Sequence, residues 1–285
     1  MKLQYIKFVV FLSVEKTDIS NISFHSAFRG IFGRVLKETF CIQKRLVCTD
    51  CPMKSCLYRT IFESEQHGFE NFKPYIIRHL ASVQNTIIIE FTILGFIVEY
   101  SSSIIHALLK MQDFPLVIEN QSYPLTILKI IDAAKNLVYA QSENTITAPK
   151  TMLLKFIPTG KDAVTLKFLT PLRMKHEGAL MRSFNWQAFY RGLYYRIQYI
   201  NTVFNSEPTC LPALWEDKAT VSGNLQWQEM YRKSYRQNQK MSLGGLIGEV
   251  LILNPDPKTV GLLRIGSVIQ AGKQTTFGLG KYELS

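Results

Sequence analysis

The chain has 285 residues, 47% of them hydrophobic and 19% charged, so it can bury a large core and is neither a disordered nor a fibrous polymer. Lys and Arg number 33 against 22 Asp and Glu, a net charge of +11, which points to a polyanion such as nucleic acid or an anionic surface, or else to plain surface solubility. No block of like charge is long enough for a disordered basic tail, and no apolar stretch reaches the roughly 18 residues of a membrane span, so no membrane partner and a cytoplasmic location are expected.

Met1-Lys2 and the apolar stretch Tyr5 to Val14 imitate a signal peptide. Lys7 interrupts that stretch, Glu15-Lys16 follow it and no small-residue cleavage site appears, so residues 3–14 read as a buried strand. After a polar turn, Phe24 to Glu38 reads as a helix with Phe24, Phe28, Ile31 and Val35 on one face. His25, Ser26, Arg29, Gly30, Gly33 and Lys37 fall on the other. Glycines inside a helix cost about 1 kcal/mol each relative to Ala. Either something approaches the backbone on that basic face, or small residues are needed under a neighbouring strand.

Strands are predicted over 75–83 and 85–96, a helix over 98–111, and β structure over 115–119, 125–133 and 136–141. The order β-α-β-β-α-β is the ferredoxin-like arrangement. The polar stretch Ser142 to Lys150 marks a boundary, giving domains 1–145 and 146–285. The second half offers strands at 153–157 and 163–168, a helix over about 179–204 whose stripe is Phe189, Leu193, Ile197, Ile200 and Phe204, and strands at 219–228, 246–253, 267–270 and 281–284. It reads as a second unit of the same kind, so the fold class is α+β, two tandem ferredoxin-like domains. Tyr194, Tyr195 and Tyr199 read as core packing in preference to base stacking.

Four of the five cysteines, Cys41, Cys48, Cys51 and Cys56, lie within sixteen residues. In a cytosolic chain such a cluster reads as a metal site before a disulfide framework. Four thiolates close tetrahedrally round zinc, and the two-residue gap between Cys48 and Cys51 is the usual knuckle. An iron–sulfur cluster uses the same donors, and a reduced, metal-free loop is the third reading. With every position filled by protein, a metal there would be structural.

The stretch Trp227 to Met241 interleaves aromatics with Arg232, Lys233, Arg236 and Lys240. Cations bind phosphates and aromatics stack on unpaired bases, while a basic sheet edge that resists aggregation is the plainer reading. No two histidines are spaced as a metal pair. His25 opens a helix, where the dipole favours the neutral imidazole, and it precedes Arg29 by one turn. That suits a general base for 2′-OH attack on the adjacent phosphate, with Arg29 or Lys273 stabilising the developing charge. A capping histidine is the alternative, and His176 is the second candidate.

The C-terminal stretch from Gly266 to Tyr282 carries four glycines and two lysines before Tyr282. It fails the P-loop, because five residues separate Gly266 from Gly272 and Gln274 follows Lys273. It also fails the dinucleotide fingerprint, which opens a helix inside an α/β unit. It reads as a glycine-rich turn between late strands, either a phosphate-binding surface or a tight hairpin without a ligand.

Phe28-Arg29-Gly30-Ile31-Phe32-Gly33-Arg34, the cysteine loop, Thr170-Pro171-Leu172-Arg173, Arg236-Gln237, Leu243 to Gly248 and Gly272 to Tyr282, in that order, resemble the CRISPR-associated RAMP endoribonucleases that process precursor repeat RNA. The resemblance implies two ferredoxin-like domains and metal-independent cleavage to a 2′,3′-cyclic phosphate and a 5′-hydroxyl. Other CRISPR effector subunits become expected partners. It implies that the glycine-rich loop and a basic central surface hold the RNA, and the residues expected to bind it are Arg34, Lys37, Arg173, Arg232, Lys233, Arg236, Lys240, Gly272, Lys273, Gly278, Gly280 and Lys281. Some RAMP proteins bind RNA without cutting it, which is the alternative function.

Overall fold

The computed structural model describes residues 1–15, 24–53, 55–63, 72–118, 121–234 and 239–285. The chain divides into two compact units, Gln4–Met152 and Leu153–Ser285, the latter joined by Met1–Leu3.

The first unit runs β1 (Lys2–Val14), α1 (Phe24–Phe40), β2 (Tyr75–Val83), β3 (Thr86–Leu94), α2 (Ser101–Lys110), β4 (Leu116–Ile118), β5 (Gln121–Tyr123), β6 (Leu125–Asp132), β7 (Leu137–Ala140) and β8 (Thr145–Ile146). In β1 the alternate residues Ile6, Phe8, Val10, Leu12 and Val14 are buried, as a period of two requires when one face meets the core. The antiparallel sheet has the order β2-β3-β1-β6-β7-β8. Helix α1 lays Phe28, Phe32 and Val35 into the core, where the Phe32 and Phe91 rings meet edge to face at 4.8 Å. On the opposite face of the sheet Glu90 is buried and held by Lys7 at 3.3 Å and Arg78 at 3.0 Å.

The second unit runs β9 (Met152–Lys155), β10 (Ala163–Leu172), β11 (Lys175–His176), β12 (Ala179–Leu180), α3 (Trp186–Phe204), β13 (Thr220–Gln228), β14 (Tyr231–Ser234), β15 (Gln239–Ser242), β16 (Gly245–Leu253), α4 (Pro257–Ile269) and β17 (Tyr282–Leu284). Its sheet has the order β13-β16-β10-β17. In each unit the first long strand is central: β1 lies between β3 and β6, with β7 and β8 extending the sheet beyond β6, and β10 lies between β16 and β17. The second long strand, β2 or β13, forms one edge. Both units are ferredoxin-like, as the element order predicts.

Two predicted elements are corrected. The helix expected over 179–204 begins only at Trp186, because Asn185 caps it by accepting from the Ala188 N–H at 2.9 Å. The residues before it complete the β11–β12 hairpin, with Met181 N–H bonded to the Met174 carbonyl at 2.9 Å. The strand expected at 267–270 is instead largely the last turn of α4. That helix starts where Asp256 accepts from Lys258 N–H at 2.8 Å and Pro257 takes the first position. Among the described residues, no helix is long and apolar enough to cross a membrane.

Candidate functional site

The glycine-rich segment does not join two strands. It leads from the end of α4 to β17, and most of it is buried. The Gly278 N–H donates to the Thr275 carbonyl at 2.9 Å and the Gly280 N–H to the Pro171 carbonyl at 3.0 Å. Those two donors, expected to face phosphate, are turned into the protein. Gly280 has a φ of +76°, and a Cβ there would overlap the Ala271 carbonyl, so only glycine fits. Phe277 and Leu279 point inward and form a small cluster with Leu243 and Met230. The Lys281 ammonium donates to the Ser267 carbonyl at 2.6 Å, at the C-terminal end of α4, where a cation is favoured.

The anchor of the segment is a residue the sequence reading passed over. Arg196 of α3 is 1% exposed. Its Nε donates to the Gln270 carbonyl at 3.0 Å, and its Nη2 to the Ile269 carbonyl and Thr275 Oγ1, both at 2.9 Å. The signal was available: an arginine stands three residues after Leu193 and four before Ile200 on an otherwise apolar stripe.

Arg173 links this segment to the second glycine turn. Its carbonyl accepts from Lys273 N–H at 2.7 Å, and its Nη1 donates to the Gly244 carbonyl at 2.7 Å. Burial pulls the Arg173 pKa below the ordinary arginine value; Glu229 opposes the fall and Arg182 adds to it. Trp227, at the end of β13, donates Nε1–H to Glu229 Oε1 at 2.7 Å, and Ser242 Oγ bonds the other oxygen at 3.3 Å. The Arg182 guanidinium carbon stands 3.6 Å from the centre of the Trp227 ring. These groups surround the foot of the β14–β15 hairpin, whose register sets Lys233 opposite Lys240 and Arg232 opposite Met241. Arg236 lies outside the described residues.

In the first unit, His25 occupies the first turn of α1 but is 6% exposed, not part of an open basic face. Arg29 Nε donates to the Tyr75 hydroxyl at 3.1 Å, and its guanidinium lies 5.1 Å from the Phe62 ring centre. Of the two helical glycines, Gly33 has a steric reason, since a Cβ would strike the Phe62 ring; Gly30 has open space. Arg34 is exposed and paired with Glu38 at 3.0 Å, and Lys37 lies 5.9 Å from the Tyr58 ring centre. His79, not singled out from the sequence, meets the Phe24 ring edge to face at 5.4 Å and pairs through Nε2 with Ser82 Oγ at 2.8 Å. Burial lowers its pKa, which favours the neutral ring. His176 is exposed, with Asn185 Nδ2 at 3.4 Å.

The four loop cysteines are free thiols, Cys41 and Cys51 buried, Cys48 and Cys56 half-buried. Among the described residues, no group of three or more His, Cys, Asp or Glu is placed to hold a metal.

Residues 3–151 match a family model described as the AF_1859 N-terminal domain, and residues 166–282 match that of the CRISPR-associated endoribonuclease Cas6. No curated protein sequence matches the chain. Among solved structures it is similar to a product complex of Thermus thermophilus Cas6 (TTHB231), at 17% identity and a TM-score of 0.60 over 99% of each chain. It is also similar to a product complex of the Cas6 TTHA0078, at 12% identity and 0.56 over 100% of both. A partial Cas6-RT-Cas1–Cas2 complex matches at 14% identity and 0.58, over 99% of this chain and 46% of the other. These likenesses carry the fold, two tandem ferredoxin-like domains. The two family models follow one another along the sequence and leave only short stretches unmatched. By the family models, the chain carries an AF_1859-type N-terminal domain followed by a segment, residues 166–282, that is similar to the CRISPR-associated endoribonuclease Cas6 family.

Proposed function

We propose that this chain binds CRISPR repeat RNA and cuts it without a metal, yielding mature guide RNA. A base takes the proton of a 2′-OH, the 2′-oxygen attacks the adjacent phosphorus, and the 5′-oxygen leaves with a proton. The products are a 2′,3′-cyclic phosphate and a 5′-hydroxyl. His25 is the proposed base, with Arg29 or Lys273 offsetting the charge that builds on phosphorus. The observation that carries the RNA-binding part is one connected set of cationic residues within the second unit. Lys273 is tied to Arg173, Arg173 to Gly244, and Gly244 opens onto the foot of a basic hairpin. The match to the Cas6 endoribonuclease model spans that same stretch.

The test is incubation of labelled repeat RNA with the protein in EDTA, alongside His25→Ala and His79→Ala. Cleavage by the native chain and its loss in His25→Ala is the expected result. Cleavage that survives His25→Ala but not His79→Ala would transfer the base role to His79. The burial of His25 favours one other reading, an RAMP subunit that binds repeat RNA without cutting it, and binding with no cleavage by any form would establish that instead. Zinc at Cys41, Cys48, Cys51 and Cys56 is a separate proposal that rests on their spacing. Elemental analysis of the purified protein that finds neither zinc nor iron would end it.

A further inference from the structure

We propose that Arg182 and Trp227 form a stacking platform for one unpaired nucleobase of the bound RNA, an inference that rests on the RNA-processing reading above. With the guanidinium carbon 3.6 Å from the ring centre, the guanidinium has to lie flat, since an edge-on approach would drive a nitrogen into the indole. One planar face is thus covered by tryptophan, while the Arg182 side chain as a whole is 63% exposed. Its carboxylate neighbour, Glu229, is 3.8 Å from Nη1 through the same oxygen that accepts the indole N–H at 2.7 Å, which sets it beside the tryptophan edge and not over the outer face of the guanidinium. What remains open is a flat cationic surface, and unpaired bases stack on arginine planes as they do on aromatic rings.

The platform is held rigid from below. The indole N–H is fixed on Glu229 at 2.7 Å, and Ser242 Oγ, on the far strand of the hairpin, bonds the same carboxylate at 3.3 Å. Gly244 leaves the room this requires, because a Cβ there would press on both the Trp227 ring and the Glu229 carboxylate. Arg182 itself follows Met181, which is buried and bonded through its N–H to Met174 at 2.9 Å. An exposed cation–π pair adds little to folding stability, so fold stability alone gives small reason for such careful positioning. Arg173 and Arg182 flank the single carboxylate of Glu229, which leaves a net positive charge beside the platform for the phosphate of the stacked nucleotide.

The experiment measures affinity for repeat RNA with the intact protein, Arg182→Ala, Arg182→Lys and Trp227→Leu. Each is also paired with RNAs made abasic at one unpaired position at a time, and thermal melts check folding. Arg182→Ala is expected to weaken binding roughly tenfold. Arg182→Lys should lose nearly as much, because lysine keeps the charge but lacks the plane. One abasic position should weaken the native protein by a like factor and leave Arg182→Ala unaffected. Native-like binding by Arg182→Lys, or no abasic position whose effect vanishes in Arg182→Ala, would overturn the platform while leaving the RNA reading intact. Failure of the native protein to bind any repeat RNA would overturn both.

Discussion

Arg196 shows how one buried charge organises a segment that looks like a ligand loop. Its guanidinium holds the Ile269 and Gln270 carbonyls and the Thr275 hydroxyl. Replacing it with Met leaves three acceptors without that donor in a dry site, and a buried polar group left unmade costs about 1–3 kcal/mol. Arg196→Met should therefore lower the melting temperature sharply and raise amide exchange across 270–280, with Arg196→Lys in between. Unchanged exchange in that segment would refute the anchoring role. Asp132 is a second such residue. It is 1% exposed and accepts from the N–H groups of Ala134, Asn136 and Lys150 and from Asn136 Nδ2, at 2.8–2.9 Å. Burial pushes its pKa up, yet these hydrogen bonds more than offset that and hold it below the ordinary carboxylate value. A depressed folded-state pKa means the stabilisation is present above the unfolded value of about 3.9 and is lost as pH falls through the folded one. Denaturation of Asp132→Asn beside the native chain should show a gap that is full at pH 7 and closes below about pH 4. A gap constant with pH would mean that the charge plays no part.

At the scale of elements, striped helices and apolar strand runs were legible. β1, β3 and β16 stand out as runs rich in apolar residues, and α1 and α3 carry a buried stripe at helical spacing in the sequence. Helix α4 does not, since Val260, Leu262, Leu263 and Ile265 are all buried and point to different sides. Gly261 and Gly266 further disguise it, yet both have packing reasons: a Cβ would strike the Ile157 carbonyl at the first, and Leu193 and the Tyr282 hydroxyl at the second. Tertiary contact outweighs propensity here, and the Asp256-Pro257 start was the signal available. The glycines of the C-terminal segment were likewise visible but their purpose was not, because its hydrogen bonds to Pro171 and Arg173 cross about a hundred positions of sequence. The glycines now sort into kinds that mutation can separate. Gly30→Ala meets open space inside α1 and should stabilise by about 0.5–1 kcal/mol. Gly280→Ala combines a positive φ with a collision against backbone and should destabilise by more than that gain. Paired urea titrations give both values, and a stabilised Gly280→Ala would show that the turn relaxes freely.

Across the whole molecule, one strand order recurs in two units, and a surplus of eleven positive charges is spread over them. Not every cation in that surplus has the same task. Arg34 is paired with Glu38, Arg29 is tied to Tyr75, and Lys281 caps α4. Cations that meet phosphate release counterions, so log affinity falls linearly with log salt by about 0.7 per phosphate contact for a single strand. On the proposed function, Lys273→Ala should weaken binding to repeat RNA and flatten that slope by about one contact. Lys281→Gln removes the same formal charge from the same segment, but its amine serves the Ser267 carbonyl. It should lower the melting temperature and leave the slope as it was. Titrations of both variants from 50 to 200 mM salt, roughly the range over which such contacts report, separate the two. If both flatten the slope equally, the segment binds through its summed charge; if only Lys273→Ala does, the fold has assigned one lysine to the RNA and the other to the helix.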